Sequence, residues 1–158
     1  SRKWARPIAL VFGIITLHKP RSDRRPFVDL MDVRGPVGAA MGATVAAGLD
    51  ARIRLAETSD EELLDVAWAA PADVILEHHL RPGSSEPQAV TAVQGGGLRL
   101  RVPLDTYAGA YLGVTDGSLT AGQALTAIAA LLDEEVAAVR QRVMPMLRYL
   151  VANGFLVG

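Results

Sequence analysis

The last third of the chain carries the clearest helical pattern of apolar residues. Between residues 136 and 151 they recur at spacings of three and four, on one face of a helix: Val136, Val139, Val143, Leu147, Leu150 and Val151. Asp133 is predicted to cap this helix, and Pro145 to kink it, because proline removes a backbone donor and clashes with the preceding turn. Asn153 and Gly154 supply a left-handed stop. One face of this helix is therefore predicted to lie in the core.

Another helix precedes this one, and a short strand follows it. Thr120 is a predicted N-cap, and Gln123, three residues later, completes a capping box. A further helix is predicted over about residues 105–114, and Phe155–Val157 is long enough to add one short strand to a small sheet. We interpret residues 105–158 as a winged-helix-like module, meaning a helix-turn-helix that ends in a short apolar strand.

The middle of the chain, residues 35–104, begins with helical patterns. Gly35-Pro36 is predicted to start a small-residue helix that runs to Leu49, because proline is tolerated in a first helical turn. Within it, Gly38 and Gly42 allow close approach of another backbone. Packing in a protein core explains this spacing better than association in a membrane, since the segment is too short to span one.

The pattern then changes to a period of two. Ser59 and Glu62 form a capping box for a helix that runs through about Trp68. After it, alternating runs over residues 74–80, 88–94 and 98–102 predict three strands. The glycine triplet at residues 95–97 is a hairpin turn in this interpretation. The segment 35–104 is therefore predicted to combine helices with a β-meander.

The first 34 residues are interpreted as an N-terminal hairpin. Ile8–Leu17 is continuously apolar, which is the pattern of a strand covered on both faces, and Phe27–Val33 alternates well enough to be its partner. A strand of that kind needs neighbours, and the first methionine is Met31. We therefore expect the hairpin to be the end of a preceding domain. The predicted class is α+β, with a small antiparallel β-meander, helices and the winged-helix-like end.

Composition excludes several kinds of site. The chain has 16 basic and 17 acidic residues, so it has no global field that would attract nucleic acid or an anionic membrane. It contains no cysteine, which excludes disulfides, thiol nucleophiles and iron–sulfur clusters and is compatible with a cytoplasmic location. The longest uncharged apolar stretches are too short to span a bilayer as a helix, so no membrane partner is expected.

No catalytic, cofactor-binding or metal-binding residue is predicted in this chain. The glycines do not follow the spacing of a dinucleotide-binding loop. His78 and His79 are adjacent on a predicted strand, so their side chains point to opposite faces and cannot chelate one ion together. The acidic runs at residues 60–62 and 133–135 lie in predicted first turns, where they favour the helix dipole. Ser84 and Ser85 have no placed base.

Nucleic-acid binding is the alternative function, because a helix-turn-helix can read DNA through its second helix. The candidate contacts are Arg140, Arg142 and Arg148. From residue 105 to the end, however, five acidic residues stand against these three arginines, a balance that opposes phosphate binding. A small winged-helix DNA-binding regulator therefore stays the second hypothesis, and nucleic acid is not the expected partner.

Two parts of the chain resemble a known family. Asp116-Gly117-Ser118-Leu119-Thr120, followed by two helices and by Leu150–Leu156, resembles the C-terminal winged-helix-like region of a group of proteins. These are actinobacterial class I S-adenosylmethionine-dependent methyltransferases of the small-methyltransferase type. Val11–Lys19 resembles the last strand of their Rossmann-like catalytic domain. The chain lacks that family's glycine-rich donor loop and its Asn-Pro-Pro-Tyr type motif, so no catalytic residue is carried over.

The resemblance implies a non-catalytic accessory region with its chemistry upstream. Its partner would be its own N-terminal catalytic domain, and S-adenosylmethionine would be bound by the parent protein rather than by this chain. Such a region covers the cleft, contacts substrate or mediates assembly, and the residues do not rank these roles. A homodimer formed through the exposed first strand is a further possibility, because an unpaired apolar strand invites pairing with another copy.

Overall fold

Helices and strands are combined in one chain. The structure, a computed structural model, describes residues 13–19, 27–38 and 41–158. Within these ranges the elements are α1 (Met41–Leu55), α2 (Asp60–Leu64), β1 (Val74–Leu80), β2 (Pro87–Gln94), β3 (Arg101–Leu104), α3 (Thr106–Gly113), α4 (Ala121–Leu132) and α5 (Val136–Ala152). The mixture of helices with a three-stranded antiparallel sheet confirms the predicted α+β class.

The sheet is the predicted β-meander. Its strands are ordered β1-β2-β3, and both pairings are antiparallel. Leu76 pairs with Ala92, which pairs with Val102 on the next strand. Ala92 and Val102 are buried, so this register turns one face of the sheet toward the core.

The third strand begins later than the pattern predicts. It starts at Arg101 rather than at Leu98, because the chain is still turning before it. Arg99 has a φ of 49°, and its N–H donates to the carbonyl of Gly96 over 2.9 Å. The turn therefore extends beyond the glycine triplet.

One face of α5 lies in the centre of the core. Of the six apolar positions predicted for that face, five are buried and Val136 is partly buried, which confirms the stripe. The helix packs against α1, α3 and α4. It continues through Pro145, and the bend predicted there stays a prediction. The largest fully buried side chains come from α3, α4, α5 and the end of the chain: Tyr111, Leu125, Val139, Val143, Leu147, Leu150 and Phe155.

The turn between α4 and α5 differs from the prediction. Asp133 does not cap α5 but ends α4 in the left-handed conformation, with a φ of 53°. Its short polar side chain makes this conformation accessible. Glu135 is the N-cap residue of α5, and its side chain makes no capping hydrogen bond. The helical hairpin is therefore closed by a left-handed aspartate.

The end of α5 is a Schellman motif. Gly154 has a φ of 73°, whereas Asn153 has a φ of −106°, so the left-handed stop is made by the glycine alone. The N–H of Phe155 donates to the carbonyl of Leu150 over 2.8 Å, and that of Gly154 to the carbonyl of Val151 over 3.2 Å. This turn directs Phe155 back into the core.

The short terminal strand pairs outside the meander. Val157 exchanges backbone hydrogen bonds of 2.8 and 2.9 Å with Ala69, and Ala69 also bridges to Asp116. The predicted addition to the sheet is therefore an isolated bridge beside it. At the start of α4, the capping box of Thr120 and Gln123 is confirmed.

The capping box of Ser59 and Glu62 is also confirmed, but its helix is shorter than predicted. It ends at Leu64 instead of about Trp68. Trp68 turns into the core, and its indole N–H donates to the carbonyl of Leu63 over 3.0 Å. Because the Trp68 indole packs in the core, the helix ends early.

The N-terminal predictions need two corrections. The first long helix begins at Met41 and ends at Leu55, so it is shifted toward the C-terminus from the predicted start at Gly35-Pro36. The strand predicted over Phe27–Val33 is wrong, because these residues pair with no other strand in the described ranges. Residues 13–17 of the predicted first strand are likewise not in a strand, and residues 8–12 lie outside the described ranges.

Gly38 does provide the predicted close approach, and its partner is the glycine turn. The N–H of Gly38 donates to the carbonyl of Gly97 over 2.6 Å. A Cβ at Gly38 would lie 2.9 Å from that oxygen. Gly97 has a φ of 56° and has no space for a side chain beside Thr44. Gly97 is therefore a packing contact as well as part of the hairpin turn.

We expect Gly38→Ala to lower the free energy of unfolding by about 1–3 kcal/mol, because its Cβ would force two backbones apart. Gly42→Ala is the matched control, since a Cβ there would meet nothing within 4 Å. It lies in α1, so it should stabilise the protein by up to about 1 kcal/mol. Urea denaturation of the two variants measures the difference, and equal effects would contradict the proposed contact.

Candidate docking surface

The described N-terminal residues expose apolar side chains to an unusual degree. We call residues 13–19 and 27–38 the N-terminal segment; neither range contains a helix or a strand. Ile15, Leu17 and Leu30 are 87%, 89% and 90% exposed. Exposed apolar side chains that cluster in this way indicate an interaction site more often than an ordinary solvated surface. The N-terminal segment is therefore a candidate docking element.

Part of this segment crosses a groove between α1 and α5. Asp29, Leu30 and Met31 line the groove together with residues of both helices, and its volume is about 270 Å³. The carboxylate of Asp29 accepts a hydrogen bond from Nε of Arg52. The segment is thus held here by Asp29, in addition to the bond of Gly38 to Gly97, while side chains such as Leu30 stay largely exposed.

Arg52 joins three parts of the molecule. Its Nη1 donates to the carbonyl of Ala152 over 2.6 Å and to that of Gly48 over 3.1 Å. Its Nη2 donates to Oδ1 of Asn153 over 2.8 Å. The side chain is only 16% exposed, so these bonds lie partly shielded from water. The guanidinium therefore holds the end of α5, the body of α1 and the N-terminal segment together.

Arg148 makes a second connection on the same side of α5. Its Nε lies 2.8 Å from Oδ1 of Asp60, and its guanidinium also donates to the carbonyls of Leu55 and Thr58, over 3.1 and 2.8 Å. These contacts fasten the loop between α1 and α2 to α5. Arg148 was a candidate nucleic-acid contact, but its donors are already used within the protein.

Arg142 is similarly engaged at the other end of α5. Its guanidinium donates to the hydroxyl of Tyr107, lies 4.8 Å from the centre of that ring, and donates to Glu134 over 3.1 Å. The hydrogen bond from Tyr107 to the Glu134 carboxylate raises the pKa of the tyrosine. Arg142 therefore belongs to a cluster that ties α3 to α5.

Arg140 is the third candidate contact, and its position differs from the other two. Its Nε is buried and has no hydrogen-bond partner among the described residues. A Cβ built on Gly122 would lie 3.7 Å from its Nη2, so the guanidinium sits beside the start of α4. The three arginines thus lie in three separate environments instead of forming one basic face.

The residues considered for catalysis are also placed apart. His78 and His79 are exposed on β1, and Nε2 of His79 lies 3.8 Å from Glu77. The side chain of Ser84 bonds within its own loop, to Glu86. In the described ranges no group of three or more histidine or acidic side chains could hold a metal ion. The histidines and Ser84 are therefore not brought together into one reactive group.

Glu77 has a structural partner across the sheet. Its carboxylate accepts two hydrogen bonds from the guanidinium of Arg101 on β3. These bonds lower the pKa of the Glu77 carboxyl group. The pair lies on the sheet face opposite Leu76 and Ala92, so it faces away from the core.

Comparison of the chain with protein-family models, with curated proteins and with solved structures gave no match. The methyltransferase resemblance therefore stays a prediction. Among the helices of the described residues, none is both long and apolar enough to cross a membrane.

The two arginine connections are the features that sequence reasoning missed. Arg52 and Asn153 are 101 positions apart, and Arg148 and Asp60 are 88 apart, so no local pattern relates them. Both arginines lie in helices, where a basic residue usually indicates a solvated face. The one available signal was that Arg52 falls among the small residues that follow Gly42, where a long side chain can be covered by a neighbouring helix.

We expect Arg52→Ala to lower the free energy of unfolding by about 2–3 kcal/mol, because it leaves shielded carbonyl groups without donors. Arg54→Ala is the control on the same helix; Arg54 is exposed, so its change should stay within about 0.5 kcal/mol. Denaturant unfolding compares the two, and limited proteolysis should cut the N-terminal segment faster in Arg52→Ala alone. Equal stability of the two variants would refute the role assigned to Arg52.

Proposed function

We propose that this chain is the non-catalytic C-terminal accessory region of an S-adenosylmethionine-dependent methyltransferase that acts in the cytoplasm. In this proposal it packs against its own catalytic domain through the N-terminal segment. The observation that carries the proposal is the exposure of that segment, in which Ile15 and Leu17 are almost fully accessible. Side chains of this kind gain free energy only when a partner covers them.

The position of the exposed residues supports a partner that precedes them in the chain. Residues 13–17 lie in the stretch that resembles the last strand of the catalytic domain, and they are apolar apart from Thr16. The remaining elements share one core, although some apolar side chains outside the segment, such as Leu131 and Ile75, are also exposed. In this proposal the upstream domain covers the exposed side chains of residues 13–17.

The roles found for the polar and glycine residues also support an accessory function. Gly97 packs against Gly38 and Thr44, and Gly95 and Gly96 lie against Asp73, so the triplet's lack of side chains has a structural cause. Asp60, Glu61 and Glu62 lie in the first turn of α2, where the helix dipole favours them. With these groups assigned to the fold, S-adenosylmethionine is bound upstream in this proposal.

Arg52 gives the proposed joint a defined geometry. It holds Asp29 against the end of α5, which fixes where the N-terminal segment leaves the helices. The N-terminal segment therefore touches this region on the side of α1 and α5 at Asp29. The three roles that the resemblance leaves open, covering a cleft, contacting substrate and mediating assembly, stay unranked in this proposal.

Calorimetric titration of the chain with S-adenosylmethionine should give no saturable heat. Binding at micromolar donor concentration would contradict the proposal, because it would place the donor site in this chain. Gel retardation with double-stranded DNA should likewise show no salt-dependent shift. A shift that disappears in a combined Arg140→Ala and Arg142→Ala variant would favour the DNA-binding alternative instead.

The coding DNA immediately upstream of Ser1 provides a direct test. We expect an open reading frame that continues in frame and encodes a glycine-rich donor loop and an Asn-Pro-Pro-Tyr type motif. A start codon directly before Ser1 would show a free-standing protein and would overturn the proposal.

A further inference from the structure

The edge of the sheet formed by β3 is protected against an added strand. The N–H of Gln94 donates to the carbonyl of Leu100 over 3.0 Å, and the same register continues into β3. Because backbone groups alternate in direction along an antiparallel strand, those of Arg101 and Pro103 point away from β2. Pro103 has no N–H, and a proline at such a position hinders further pairing. This edge therefore offers little to another chain.

The edge formed by β1 is open, meaning that its side away from β2 has unpaired backbone groups. The carbonyl of Asp73 accepts from the N–H of Gly95 over 2.8 Å, so the odd-numbered residues of β1 bond to β2. Leu76 and His78 point their N–H and C=O groups to the open side, where no described residue pairs with them. The strand contains neither proline nor lysine, which commonly protect an edge. It can therefore accept another strand through its backbone.

Charge changes from acidic to basic along β1. Asp73 precedes the strand, His79 lies near its end and Arg81 follows it, and all three are exposed. The carboxylate of Asp73 accepts a hydrogen bond from the N–H of Gly96 over 3.0 Å and keeps lone pairs for a second partner. His79 has only Glu77 of its own strand nearby, at 3.8 Å. Among the described strands, β1 alone has this order of charges, so an antiparallel partner that matches it is a second β1.

The strand itself limits the register of such a pair. A shift between His79 and Leu80 interrupts the regular edge, which places the middle of that edge at Leu76. A two-fold axis at Glu77 would put two carboxylates directly opposite each other, which is unfavourable. With the axis at Leu76, this leucine lies opposite its own copy, and Asp73 lies opposite His79 of the second copy. The Leu76-centred register is therefore favoured.

This register would use the open groups of β1 in both copies. The N–H of Leu76 would donate to the carbonyl of Leu76 in the other copy, and the N–H of His78 to the carbonyl of Val74. The N–H of Val74 is already used, since it donates to the carbonyl of Pro71 over 2.9 Å. On the outer face of the sheet, Ile75 is 55% exposed and would lie diagonal to Ile75 of the second copy. Pairing would thus satisfy backbone groups and cover an apolar side chain.

We propose that the chain forms a symmetric homodimer in which two β1 strands pair antiparallel about Leu76. The two three-stranded sheets then join into one continuous sheet. This inference goes beyond the proposed function and does not depend on it, because it uses β1 alone. It accounts for the difference between the two edges, of which one carries Pro103 and the other keeps open donors.

Sedimentation velocity of the full chain at micromolar concentrations should show a monomer–dimer equilibrium. His78→Pro should raise the dissociation constant about tenfold or more, because it removes an N–H from both contacts and spares the bonds between β1 and β2. Proline is tolerated on an edge strand where the N–H side faces solvent, so this variant should fold, which circular dichroism verifies. His78→Ala is the matched control; it removes the imidazole but keeps the N–H, and should change the dissociation constant by no more than about twofold.

Engineered cysteines identify the register, because the chain has no cysteine of its own. In the proposed dimer Ile75 lies opposite Glu77 of the second copy, at a non-hydrogen-bonded position where the Cα atoms are about 4.5 Å apart. A mixture of Ile75→Cys and Glu77→Cys copies should therefore form a disulfide-linked heterodimer under mild oxidation, faster than either variant alone. Faster linking of Glu77→Cys by itself would show the glutamate-centred register and would contradict the proposal.

The outcomes separate this interface from the others. A monomer at all concentrations would overturn the proposal, as would a dimer that His78→Pro leaves intact. Equal weakening by His78→Pro and His78→Ala would also overturn it, because the side chain rather than the backbone N–H would then hold the copies together. Titration with S-adenosylmethionine reports on the proposed function separately, so the two proposals fail independently.

Discussion

Burial of one face of α5 is the constraint on which the rest of the structure depends. The residues of this face are fully or largely shielded, and α1, α3 and α4 are all positioned by packing against that helix. The sheet contributes Ala92 and Val102 to the same core, although its strands pair only with one another among the described residues. Because small aliphatic side chains supply most of this core, close packing takes the place of aromatic bulk, and glycine contacts such as Gly38 with Gly97 become significant.

The sequence predicted the elements whose causes are local. The capping boxes at Ser59 and Thr120, the period-two strands and the apolar stripe of α5 each arise from residues within a few positions of one another. The wrong predictions have causes that lie outside the local sequence. Trp68 leaves its helix because the core receives its indole, and residues 27–33 form no strand because no neighbouring strand of the described chain pairs with them.

The candidate site was predictable only in part, for the same reason. The apolar character of residues 13–17 was visible in the sequence, and their exposure is what makes them a docking element. The engagement of Arg142 and Arg148 could not be predicted, since their partners come from α3 and from the loop before α2. The three arginines of α5 look equivalent along the chain, yet two of them stabilise the fold, and Arg140 is left with a nitrogen that no described residue pairs.

The contacts of Arg52 have a mechanical consequence. One guanidinium contacts Asp29 on the N-terminal side and Ala152 and Asn153 at the end of α5. Force applied to the N-terminal segment at Asp29 would therefore reach the last turn of α5, and force applied at Gly38 would reach the turn between β2 and β3. The N-terminal segment is thus tied both to the end of α5 and to the sheet, so a displacement of the segment would strain both.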